Sequence, residues 1–356
     1  MKVALVYDRI NKWGGAERVL LALHRLFPDA PLYTSVYDKK KAPWADVFDV
    51  RVSFLQKFPF AVRHELYAPL MPLAFESFNF DGYDLVISVT SEAAKGILTK
   101  PQTKHVCYML TPTRYLWSGY KEYFKNPILK LISKPVIWYL RRWDKIVSER
   151  PDEYIAISKE VKDRVAKYYG RKSTVVYPPA DNIPSGENNK NTGNYFLIVS
   201  RLVSYKRIDL AIKAFNKLKL PLKIIGSGQQ MRKLRQMAGP TIEFVGSLTD
   251  KELVSYYSEC RALIFPGFED FGLTIVEAQS FGKPVIAFRA GGALETIIEG
   301  KTGIFFNYQS AESLEEAVIK FNKLEFDPKD CIAQAQKFNF EQFKINFMKR
   351  IEVILK

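Results

Sequence analysis

Short apolar runs alternate along the chain with segments whose apolar residues return every three or four positions, and glycine or proline stands at many of the changes. In the first half, the runs at 2–7, 32–36, 85–89, 106–110, 154–157 and 174–177 predict buried strands. After the first of them, Gly14-Gly15 opens a helix on Ala16, Val19, Leu20 and Leu23, spaced i, i+3, i+4, i+7. The second half repeats the scheme. Strands are predicted at 196–199, 222–225, 242–245, 261–265, 285–288 and 303–306, and Ile208, Ala211, Ile212 and Phe215 predict a helix after the first. Strand–helix alternation of this kind argues for the α/β class with parallel sheets. Between the halves, residues 179–194 are polar, glycine-bearing and aperiodic, and read as a linker. The expected domains are 1–178 and 195–330, followed by carboxy-terminal helices over 331–356, the last packing back on the first domain.

Two stretches break the rhythm. Residues 54–80 are dense in Phe, Leu, Pro and Tyr, with Lys57, Arg63, His64 and Glu65 among them. Residues 115–150 mix Tyr115, Trp117, Tyr120, Tyr123, Phe124, Trp138, Tyr139 and Trp143 with Lys121, Lys125, Lys130, Lys134, Arg141, Arg142 and Lys145. Such a segment is either a helical subdomain with an aromatic core or a surface for an anionic membrane.

Composition narrows the partners. The chain has 356 residues, 47% of them hydrophobic, and a formal charge of +15. It can build two proper cores, and its basic balance suits phosphorylated substrates or an anionic membrane surface. No nucleic-acid-binding signature accompanies the charge, so no nucleic-acid partner is expected. Cys107, Cys260 and Cys331 are scattered and read as reduced core residues of a cytoplasmic protein. The amino terminus reads as a first strand rather than a signal peptide. No apolar run is long enough to span a bilayer.

The chemistry concentrates at 265–281. A strand ends at Phe265, Pro266-Gly267 breaks it, and a helix starts near Leu273 and stops at Gly282 before Pro284. Glu269 then lies in the loop at a strand's carboxyl end and Glu277 on the following helix. In an open parallel sheet that edge is where ligands bind. Carboxylates bind hydroxyls and a helix start binds phosphate, so a nucleotide sugar satisfies both. Glycines follow four strand ends, Gly226 and Gly246 among them, where a nucleotide needs close backbone approach. Ser200-Arg201 and Lys206 stand on the loop after the first strand of this half. The two cations are either a surface ion pair or a diphosphate clamp. Gly14-Gly15 is either a tight turn or a bare backbone for a phosphate or sugar.

Through these residues the chain resembles the retaining glycosyltransferases of family 4, whose GT-B fold has two facing Rossmann-like domains. The likeness is strongest from 195 to 306. It rests on Glu269 and Glu277 with seven residues between, the Ser-Arg…Lys loop and the Glu-Asp-Phe-Gly turn. Gly-Gly-Ala-Glu-Arg at 14–18 and Thr-Pro-Thr-Arg-Tyr-Leu-Trp at 111–117 are similar to a bacterial mannosyltransferase-type branch that works on surface polysaccharides. The resemblance implies that Arg201 and Lys206 hold the donor diphosphate and Glu277 the ribose. Glu269 would sit beside the donor sugar, with the backbone of Asp270, Phe271, Gly272 and Leu273 and the neighbouring Thr274 around it. Gly14, Leu110 and Arg114 fall on the acceptor or donor-sugar side. The implied donor is a GDP- or UDP-sugar, the acceptor a lipid-linked saccharide, the cofactor none and the metal none. The implied place is the inner face of the cell membrane. One departure matters: the related branch has His where this chain has Leu110, and leucine cannot donate a hydrogen bond. A donor tolerant of that loss, a weakened enzyme and a silent relative all fit. A sugar-nucleotide epimerase shares the architecture, but the basic loop and carboxylate spacing favour transfer.

Overall fold

Val3–Tyr7 (β1) is buried at every position, the mark of a strand covered on both faces of a parallel sheet. The computed structural model describes residues 1–62, 64–124, 126–180 and 193–355. It divides into two units, Met1–Pro178 with Lys344–Lys356, and Pro179–Phe343. Most of the expected linker, 181–192, lies outside the described residues, as do Arg63 and Lys125.

The first unit continues through α1 (Gly15–Leu26), β2 (Leu32–Thr34), β3 (Val50–Val52), α2 (Met71–Glu76), β4 (Leu85–Thr90), β5 (Lys104–Met109), α3 (Tyr120–Tyr123), α4 (Pro127–Val147), β6 (Glu153–Ala156), α5 (Lys159–Tyr169) and β7 (Thr174–Val175). Its strands pair in parallel in the order β3-β2-β1-β4-β5-β6-β7. The strand β3 has no counterpart among the predicted runs. It is a three-residue edge strand, Val-Arg-Val, with little burial to write a pattern.

Buried polar groups fasten this unit. Asp8, just past β1, accepts from Thr90 Oγ1 at 2.7 Å and from the amides of Ala93 and Ala94 at 2.9 Å each. Lys95 and Asp144, each 1% exposed, pair at 2.5 Å, and Trp117 Nε1 donates to Asp144 at 2.7 Å. That pair ties α4 to the sheet. A lone charge at that depth would be costly, so each partner requires the other.

His105, buried in β5, shares a 2.8 Å hydrogen bond with Ser88 Oγ. Burial, helped by Arg150, lowers its pKa from 6.5 to about 3. The folded protein therefore keeps the ring neutral where the unfolded chain protonates it. Stability is full above pH ~6.5 and falls as the pH drops toward ~3, by about 2 kcal/mol already at pH ~5. Urea midpoints at the two ends of the pH ~5–7 window should differ accordingly. His105→Gln should abolish most of that difference; an unchanged slope would contradict the assignment. Burial likewise pushes the thiols of Cys107, Cys260 and Cys331 up to about 12, and all three are free.

The second unit runs β8 (Phe196–Val199), α6 (Ile208–Leu218), β9 (Leu222–Ile225), α7 (Met231–Met237), β10 (Ile242–Gly246), α8 (Asp250–Glu259), β11 (Ala262–Phe265), α9 (Leu273–Ser280), β12 (Val285–Phe288), α10 (Ala293–Thr296), β13 (Gly303–Phe306), α11 (Ala311–Phe321) and α12 (Pro328–Gln336). Alternation along β8 feeds two cores. Phe196 and Ile198 join Phe215, Ile224, Ile264 and Phe306 on one face. Leu197 joins Ile225, Leu263, Ile275, Phe281 and Val285 on the other. Such strands read as unbroken apolar runs because both faces are dry. The chain leaves this unit within α13 (Phe340–Leu355). Beyond Lys344 it packs on the first unit, where Phe347 meets Tyr108 at 6.0 Å and Arg350 binds Glu153 at 2.6 Å. Among the described residues, no helix is long and apolar enough to cross a membrane.

Candidate active site

The strands of the second unit lie in the order β10-β9-β8-β11-β12-β13, all parallel. The chain builds outward from β8 on one side, then crosses to β11 on the other. The loops after β8 and β11 therefore part, and a ligand can enter at their carboxyl ends. A small hollow lies there, lined by Val199, Ser200, Lys206, Phe265, Gly267 and Glu269.

Its walls follow from local sequence. After β8 the chain turns through Ser204–Lys206, which delivers Lys206 back over the strand ends. Lys206 Nζ pairs with Glu269 Oε1, the side chains only 16% and 15% exposed. At that burial solvent screens the pair weakly. Gly292 holds the Glu269 loop from behind. Its amide donates to the Glu269 carbonyl at 2.9 Å, and a Cβ there would stand 2.2 Å from Phe271 Cα. Arg201 is exposed, and its guanidinium donates to Tyr205 Oη. The Tyr205 ring also faces Lys206 Nζ at 5.5 Å, within cation–π reach.

Of the glycines anticipated as nucleotide contacts, Gly226 lies against backbone, while a Cβ on Gly246 would meet nothing within 4 Å. Gly226 (φ +134°) would place a Cβ 1.9 Å from the Ser200 carbonyl oxygen, and its amide donates to the Gly246 carbonyl at 2.7 Å. The ends of β8, β9 and β10 are thereby locked together. Gly272, at φ +90°, starts α9 with no side-chain cap. Asp270 and Phe271 are buried beside it, and Phe271 packs edge-on against Phe338 at 5.4 Å.

Glu277, on α9, is 2% exposed and accepts a 2.7 Å hydrogen bond from Tyr257 Oη. Tyr257, on α8, is fully buried and stacks on Phe281 at 5.6 Å and 11°. The sequence reading missed Tyr257. A buried carboxylate requires a donor, and the i, i+4 pair Glu277 and Phe281 calls for a residue that is polar at one end and flat along its side. Neither signal gives the donor's place in the chain.

The remaining candidates belong to the first unit. Gly14 and Gly15 begin α1. A Cβ on Gly14 would meet Glu17 Oε2 at 3.2 Å, so the glycine makes room for a carboxylate whose other oxygen accepts from Tyr7 Oη at 2.6 Å. Burial and that carboxylate hold the Tyr7 phenol well above its usual pKa. Leu110 follows β5, its amide bonded to the Thr90 carbonyl at 2.9 Å. Arg114 lies on the next turn, its carbonyl accepting from the Gly119 amide at 2.8 Å. His105 does not replace the missing histidine, being buried on Ser88.

Residues 180–338 match the family model described as glycosyl transferases group 1. Over that stretch the chain is similar to the group 1 glycosyltransferases. The Lys206–Glu269 hollow and the Glu277 helix both fall inside the group 1 region. Among curated relatives, the chain is 27% identical over 190 residues to an uncharacterized glycosyltransferase, MJ1178, of Methanocaldococcus jannaschii, covering 51% of this chain and 52% of that protein. It is 28% identical over 133 residues to O-antigen chain mannosyltransferase C of Escherichia coli, covering 35% and 36%. The chain thus spans about half, or less, of the length of these relatives. A solved structure of HepE from Anabaena, in complex with UDP and glucose, superposes over 99% of both chains with a TM-score of 0.74 at 20% identity. That likeness speaks to the fold, which is GT-B.

Proposed function

We propose that the protein moves a hexose, of mannose or glucose type, from a GDP- or UDP-sugar to a lipid-linked saccharide, with retention at the anomeric carbon. The observation that carries this reading is the Lys206–Glu269 pair at the switch point of the second sheet, beside the uncapped start of α9. In the apo protein the two charges neutralise each other. A donor diphosphate displaces the carboxylate from Lys206 and recruits Arg201. Glu269 is then released to accept from a sugar hydroxyl, and Glu277, held by Tyr257, accepts from the ribose. The acceptor hydroxyl attacks the anomeric carbon on the face from which the diphosphate leaves. The bond from that carbon to the phosphate oxygen breaks as the new glycosidic bond forms. A diphosphate oxygen takes the proton. Negative charge grows on the leaving group, and the cations stabilise it without a protein base. Gly14, Leu110 and Arg114 are assigned to the acceptor or donor-sugar side. A lipid-linked acceptor puts the work at the inner face of the cell membrane.

Leu110 favours a second reading, a silent relative that binds a nucleotide sugar without transfer. A thermal-shift screen with GDP-, UDP- and ADP-sugars, followed by nucleotide release with each, separates the two. A donor at ~100 times its Kd stabilises the fold by ~2.7 kcal/mol. Stabilisation with release supports transfer. Stabilisation without release, gained on Leu110→His, supports the silent relative. No stabilisation by any donor overturns both.

A further inference from the structure

The helix α4 is anchored at one end and bare at the other. Its later turns are fixed: Ile137 and Leu140 are buried with Leu116, and Asp144 holds Lys95. Its earlier turns carry large apolar side chains in solvent: Ile128 68%, Leu131 64% and Ile132 69% exposed, with Trp138 at 64%. At 3.6 residues per turn, Ile128, Leu131, Ile132, Pro135 and Tyr139 share one side, roughly opposite the buried Ile137, Leu140 and Asp144. Between the two faces runs a flank of lysine and arginine. Of these, Arg141 is taken by the Leu116 carbonyl at 2.7 Å and Lys145 by the Tyr169 carbonyl at 2.7 Å. Lys134 and Arg142 remain toward the bare side, with Arg142 over the Trp138 ring at 5.7 Å, while Lys130, exposed, lies in line with Ile137. The helix sequence holds a single acidic residue, Asp144, already paired with Lys95.

We infer that the bare face of α4 seats on an anionic lipid bilayer, with Ile128, Leu131 and Ile132 entering the acyl boundary and Lys134 and Arg142 meeting the headgroup phosphates. An apolar face of this kind can take a bilayer or a second copy of the chain. The charge of the chain selects the bilayer. A second copy set face to face would bring its own lysines against these, in a chain that already carries +15. Anionic headgroups answer that charge instead. Trp138 and Tyr139, exposed between the buried Ile137 and Leu140, add amphipathic rings of the kind found at a membrane–water interface. The helix is too polar along its flank to span, and suits lying in the interface. This inference deepens the proposed function by naming the surface through which a lipid-linked acceptor is met. It rests on exposure and charge alone, so vesicle binding and nucleotide release can each fail without the other.

The test is co-sedimentation of the full chain with vesicles of phosphatidylcholine alone and of phosphatidylcholine mixed with phosphatidylglycerol. Binding is expected to the mixed vesicles only. Ile128→Asp with Ile132→Asp, and separately Lys134→Glu with Arg142→Glu, should each weaken it by about ten-fold or more. Both pairs are solvent-facing, so unchanged thermal melting verifies that the variants fold. A wild-type protein that stays in the supernatant, or variants that bind as well as it does, overturns the inference. So does a wild-type dimer on sizing columns that the Asp pair converts to monomer, because a second copy then covers the face.

Discussion

Lys206→Ala is expected to lower the turnover of nucleotide release by about 10²–10³-fold, in a protein that melts cooperatively near the wild-type temperature. The size of the loss decides what Lys206 is for. An exposed ion pair contributes about 0–1 kcal/mol, equivalent to roughly five-fold at most. The Lys206–Glu269 pair is largely buried, and its removal leaves Glu269 without its cation, which costs some stability. Neither effect slows a chemical step a hundred-fold in folded enzyme. A loss of that size requires the ammonium to act where charge develops, on the leaving diphosphate. Glu269→Gln, which frees Lys206 from its partner but keeps the cation, should retain diphosphate binding while lowering transfer. Steady-state release assays with purified variants check both. Turnover of Lys206→Ala within about five-fold of wild type would assign the pair a structural role only.

Gly226→Ala is expected to unfold or severely destabilise the second unit, by about 3–5 kcal/mol. Two costs add. At φ +134° the backbone is one that alanine adopts poorly, and the new Cβ would sit 1.9 Å from the Ser200 carbonyl oxygen. Relief means moving the turn that delivers Arg201 and Lys206, so donor binding should fall even in whatever protein folds. Gly300→Ala is the control. It has φ +79° but nothing within 4 Å of the added carbon, so only the left-handed strain applies, about 1–2 kcal/mol. Urea unfolding of the three proteins compares them. Equal losses for Gly226→Ala and Gly300→Ala would mean that the close approach to Ser200 is not rigid.

The pattern of apolar runs carried the strands of the second unit almost residue for residue, because a parallel sheet buried on both faces writes its strands as unbroken runs. It failed at β3, where three residues at an edge bury too little to leave a pattern. Loop chemistry was legible in the same way. Proline and glycine at 266–267 and the helix start at Leu273 placed Glu269 in the loop at the strand end and Glu277 on the helix that follows. Of the two readings of the Lys206 loop, the ion pair exists, and its partner is the loop carboxylate itself. Polar partnerships across long stretches of chain were not legible. Tyr257 on Glu277, Tyr7 on Glu17 and Lys95 on Asp144 are set by how helices lie on the sheet. Spacing along the chain carries no trace of them.

The most direct measurement is a crystal structure of the protein grown with GDP or UDP. The diphosphate is expected within hydrogen-bond distance of Lys206 and Arg201, the ribose hydroxyls on Glu277, and Lys206 drawn off Glu269. A nucleotide bound away from the ends of β8 and β11, with the Lys206–Glu269 pair intact, would contradict it.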